Sequence, residues 1–126
     1  MGFLEKWQPQ LLSVLRIMAG LLFLEHGMAK LLHFPHVAML DNVKLMSLAG
    51  VTGVIELVGG ALVTIGLFTR YAAFIMSGEM AFAYFMVHAK QSFFPLLNAG
   101  EAAILFCFVF LYIAAAGPGP WSIDRK

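Results

Sequence analysis

The side chains able to do chemistry in this chain are a few ionisable groups set in apolar surroundings. Each of four hydrophobic segments carries one glutamate: Glu25, Glu56, Glu79 and Glu101. Two cations, Arg16 and Lys30, share the first segment. A carboxylate in hydrocarbon is costly, so such groups face a bundle interior, pair with one another, or mark a ligand or proton path. Two embedded cations cannot neutralise four carboxylates, so at least one glutamate is expected to hold a proton near neutral pH. That proton would serve to hydrogen-bond a ligand carbonyl or to be relayed. Lys30, Glu56 and Glu101 form the expected polar core. Glu79, His26, Asn98 and Arg16 are its secondary members.

Other chemistries fit the residues poorly. A di-iron carboxylate bundle takes two Glu-x-x-His pairs; here no histidine follows Glu56, Glu79 or Glu101 by three residues, and Glu25 and His26 are adjacent. His33-Phe34-Pro35-His36 is expected to be a solvated turn, and His26 with His88 meets a haem requirement in depth only. No metal site is expected. The single cysteine, Cys107, excludes a disulfide or a CxxC thiol relay. No phosphate loop or nucleophile–base pair is present, and a net charge of +1 gives no reason to expect nucleic acid.

The elements that must position these groups are membrane helices. Hydrophobic residues make up 61% of the 126 residues and charged residues 12%, about half the charge usual for a soluble domain. Runs at Leu11–Leu32, Leu48–Phe68, Tyr71–His88 and Leu96–Ala116 approach or exceed the roughly 20 helical residues a bilayer core requires. The expected fold is all-α: one membrane domain over residues 1–126, built as an antiparallel bundle of four transmembrane helices with a short tail, 117–126. The first run, lacking a cleavage site, reads as an uncleaved signal anchor. Lys6, Arg70, Arg125 and Lys126 would lie on one side and Lys44 and Lys90 on the other, which favours cytoplasmic termini.

Depth and facing refine the site. Counted from the outward segment ends at ~1.5 Å per residue, all four glutamates fall roughly 8–14 Å deep. Arg16, Gly20, Phe23, Gly27 and Lys30 share one helical stripe, and Glu25 projects roughly opposite it. Gly53, Glu56 and Gly60 share a second face, where small residues permit close helix approach. Glu79 aligns with Met76, Phe82, Ala83 and Met86, and Asn98 with Glu101, Leu105, Phe108 and Tyr112. The ion pairs expected from this placement are Lys30 with Glu101, and Arg16 with Glu79 or Glu56.

The order of short motifs resembles the DoxX family of small four-helix membrane proteins. It runs Arg16-x3-Gly20, Gly27-x2-Lys30, Glu56-x2-Gly59-Gly60, Gly66-Leu67-Phe68-Thr69-Arg70 and Gly78-Glu79-Met80 with His88. It continues through Phe94-Pro95-x2-Asn98-x-Gly100-Glu101 to Gly117-Pro118-Gly119-Pro120-Trp121-Ser122-Ile123-Asp124. The resemblance implies a bacterial inner-membrane protein that is an accessory, quinone-binding subunit of a redox-linked complex. Its partners would be the bilayer, a redox subunit or a second copy of the chain. A scaffold or chaperone whose charges hold the helices together, and a proton-coupled transporter, are the alternative readings.

Overall fold

The computed structural model describes residues 2–33, 47–88, 94 and 100–124, excluding the side chains of Val87 and His88. The described residues form helices and turns, with no strand among them. A one-turn helix, α1 (Gly2–Glu5), leads into α2 (Gln8–Leu31), α3 (Leu48–Ile65), α4 (Thr69–Ala83) and α5 (Glu101–Ala116). A π-helical turn, Tyr84–His88, extends α4. Of these, α2 and α3 are long and apolar enough to cross a bilayer, and α5 is a shorter apolar helix. The expected start of the fourth segment at Leu96 lies outside the described residues.

Helix ends differ from the apolar runs where local chemistry intervenes. α2 starts at Gln8 rather than Leu11, with Pro9 in its first turn, where a missing N–H is harmless. α3 stops at Ile65 because Gly66 takes a left-handed conformation (φ 75°). The Gly66 and Leu67 N–H groups then both donate to the Leu62 carbonyl at 2.9 Å, closing the last turn. α4 begins two residues earlier than the apolar run, at Thr69.

Packing pairs α2 with α3 and α4 with α5, while α2 touches α5 only lightly. Glycine brings the first pair together: a Cβ placed on Gly60 would stand 2.6 Å from the Leu24 backbone nitrogen. The second pair is tied by Ser77, whose hydroxyl donates to the Cys107 carbonyl at 2.7 Å. Arg70 adds a bond from its guanidinium to the Ala115 carbonyl at 2.6 Å, the favourable end of α5 for a cation. Between the pairs lies the core of Phe23, Val63, Met76, Phe110 and Ile113. Phe23 meets Phe110 edge-on at a centroid distance of 4.7 Å. The outer faces expose Leu15, Met18, Val58, Phe74, Ile75, Leu105 and Phe108, an apolar exterior suited to lipid.

The segment after α5 folds back as a clasp. Gly117 and Gly119 turn it with positive φ. Arg16, only 1% exposed, donates to the carbonyls of Pro118, Trp121 and Thr64. Ser13 donates to the Pro118 carbonyl and accepts from the Trp121 N–H. The Ile123 and Asp124 N–H groups donate to the Ile65 and Gly66 carbonyls. The Asp124 carboxylate accepts from the Phe68 and Thr69 N–H groups at 3.1 and 2.9 Å, capping the start of α4. These bonds hold Asp124 below the usual carboxylate range, the Thr69 N–H contributing most.

Candidate functional site

At the opposite end of α2 from this clasp, a cavity of about 420 Å³ is lined by residues of all four long helices and the π turn. Its polar residues are His26 and Lys30 from α2, Thr52 and Glu56 from α3, and Glu79 from α4. Phe23, Met80, Phe82, Met86 and Phe106 supply most of the apolar wall. Phe82, Ala83 and Met86 follow Glu79 on its helical face, and the π turn carries Met86 into the lining. Such turns recur where a helix must re-aim side chains at a site.

The ammonium of Lys30 organises the polar end. It lies 3.0 Å from Glu56 Oε1, donates to Glu56 Oε2 at 3.1 Å, and donates to the Thr52 hydroxyl at 3.0 Å. Glu56 is 2% exposed, so the pair sits where charge interactions are little screened. Glu79, 8% exposed, neighbours Glu56 and Lys30, and among the described residues no donor group reaches either of its carboxyl oxygens. One ammonium against two carboxyl groups leaves a charge of −1, and the site is neutral when the two acids hold one proton between them. His26 Nδ1 lies 2.8 Å from the Leu22 carbonyl, which can only accept; Nδ1 therefore carries the hydrogen.

Several expected partners stand elsewhere. Lys30 pairs with Glu56, not with Glu101. Glu101 is exposed in the first turn of α5, where an acid is favoured by the helix dipole. Arg16 meets neither Glu79 nor Glu56. It lies about 21 Å along α2 from Lys30 and spends its donors on backbone carbonyls. Glu25 is exposed and does not line the cavity. Asn98 lies outside the described residues. Thr52 joins Lys30 and Glu56 with one signal in the sequence, its place four residues before Glu56, which puts it on the same helical face. Among the described residues, no group of three or more histidine, cysteine, aspartate or glutamate residues is arranged to hold a metal ion.

The comparisons with known proteins agree with a membrane assignment. The DoxX family profile matches residues 11–89, which contain Lys30, Glu56 and Glu79. An uncharacterized protein of Haemophilus influenzae is 44% identical over 135 aligned residues, covering 100% of this chain and 97% of the relative. An uncharacterized membrane protein of Mycobacterium tuberculosis is 25% identical over 133 residues, covering 94% of this chain and 82% of its own. No solved structure matches the chain. By the family match and the full-length relative, this chain belongs to the DoxX family of membrane proteins.

Proposed function

We propose that this protein binds a quinone or a similar small amphiphile between its helices, as an accessory subunit of a redox-linked membrane complex. The observation that carries the reading is the Lys30–Glu56 pair, with Glu79 beside it, at one end of an otherwise apolar cavity of about 420 Å³. That volume suits a compact ligand, and a few polar groups in an apolar wall are how such sites orient one. The residues fit a quinone ring: Lys30 supplies a donor for a carbonyl, and Phe23, Phe82 and Phe106 supply faces and edges for stacking. Held there, such a ring would contribute electron transfer. The chain's own residues bind and orient it, and the Glu56–Glu79 pair keeps a proton within reach.

In this reading α2, α3, α4 with its π turn, and the segment ending in α5 cross the bacterial inner membrane as an antiparallel four-helix bundle. Both termini are cytoplasmic, and the cavity lies in the outer half. Arg70 beside the clasp and the excess of Lys and Arg on that side support this orientation. Native mass spectrometry and organic extraction of the purified protein test the proposal. One amphiphile per chain, lost in Glu56→Gln, supports it; wild type that retains only bulk lipid overturns it.

A second reading, a scaffold whose buried charges only hold helices together, draws on Arg16. That guanidinium is buried against backbone carbonyls of the clasp and of α3, and it lines no part of the cavity. In that case Glu56→Gln lowers thermal stability and changes no ligand affinity.

A further inference from the structure

The polar end of the cavity has a surplus of acceptors. Lys30 directs its donors to Thr52 and Glu56. Among the described residues, neither Glu79 oxygen has a donor. A proton shared by the two acids engages one oxygen of each, Lys30 lies against Glu56, and the second Glu79 oxygen is left as an acceptor. A buried acceptor without a donor keeps the full cost of its desolvation. An occupant that brings a donor therefore gains over one of the same shape that brings none.

We propose that the cavity selects a hydrogen-bond-donating head, an aromatic hydroxyl such as that of a phenol or hydroquinone, which donates to Glu79 while its ring lies among the phenylalanines. The proposal rests on the reading of this cavity as a ligand site and sharpens it: the reduced, hydroxyl-bearing form of a quinone binds in preference to the oxidised form. A quinone carbonyl can only accept and leaves the second Glu79 oxygen unpartnered. A hydroquinone donates from one end of its ring and still accepts from Lys30 through its oxygen lone pairs.

A ligand pair differing only in the donor provides the test. The affinities of 4-hexylphenol and its methyl ether are measured calorimetrically on the full chain in lipid nanodiscs, for wild type and Glu79→Leu. The phenol-to-ether affinity ratio is expected to be about tenfold or more higher in wild type, and dividing by the ratio of the variant removes the difference in lipid partitioning. Should Glu79→Leu fail to fold, Glu79→Gln keeps the shape and removes the charge, with an expected change of about threefold. The same ratio in wild type and variant overturns this inference and leaves the cavity as a ligand site. Saturable binding of neither compound overturns both.

Discussion

The ammonium of Lys30 on α2 stands 3.0 Å from Glu56 Oε1 on α3 and bridges the two helices inside the cavity. Removing one member of such a pair strands the other charge. Lys30→Met is expected to destabilise the protein by about 3 kcal/mol. Lys30→Met combined with Glu56→Leu is expected to recover much of that loss, because Glu56 no longer stands as a buried carboxylate without its cation. Thermal unfolding in detergent, run as a double-mutant cycle, measures both.

Gly60 and Gly78 make opposite predictions from one substitution. A Cβ on Gly60 would stand 2.6 Å from the Leu24 nitrogen and 3.0 Å from the Gly20 carbonyl oxygen. Gly60→Ala must push α2 from α3 and is expected to cost about 1–3 kcal/mol. Gly78, on α4, has nothing among the described residues within 4 Å of such an atom. Gly78→Ala is expected to stabilise by roughly 0.5–1 kcal/mol through helix propensity. Melting temperatures of the two variants should move in opposite directions.

Asp124 gives the clasp an acid limit. Its carboxylate is held below its ordinary value of 3.8, first by the Thr69 N–H and then by the Phe68 N–H and the Arg16 charge. A group whose folded pKa is depressed contributes stability above its unfolded value and loses it as pH falls through the folded one. Tail protection is therefore full above about pH 4 and falls below it. Hydrogen exchange of the Ile123 and Asp124 amides across pH 3–6, corrected for intrinsic rates, should show this dependence, and Asp124→Asn should flatten it.

Arg16 separates the two ends of the molecule. Its bonds to the Pro118 and Trp121 carbonyls use the spread of a guanidinium, which an ammonium lacks. Arg16→Lys is expected to free the tail for proteolysis after residue 117 and to lower the melting temperature. Ligand affinity at the distant cavity should stay within about twofold. A matching loss of affinity would join the two ends and contradict this division.

Much of this arrangement is legible in residue spacing, and its gaps have physical causes. Apolar length locates α2 and α3, and the Arg16–Gly20–Phe23–Gly27–Lys30 stripe marks the face that α2 turns toward its neighbours. Depth counting places Lys30 and Glu101 near the outward ends of their helices with Glu56 slightly deeper, but it does not say which helix packs closest. That is settled by backbone approach at Gly20, Gly27 and Gly60, which brings α3 against α2. The partners of Arg16 are carbonyls, and every residue has one, so no residue pattern marks them. Asp124 caps a helix that begins 55 residues earlier in the chain, a long-range contact that local capping signals do not register.

The central claim is that the Lys30–Glu56 pair orients a small amphiphile in the cavity. Titration of a short-chain benzoquinone and its hydroquinone into the full chain in lipid nanodiscs tests it most directly. Wild type, Glu101→Gln and the Lys30→Met/Glu56→Leu double variant are compared by native mass spectrometry, the double variant being chosen because its fold should survive. The account predicts one bound molecule per chain in wild type and Glu101→Gln, and affinity at least about tenfold weaker in the double variant. Equal affinity in all three proteins would contradict it.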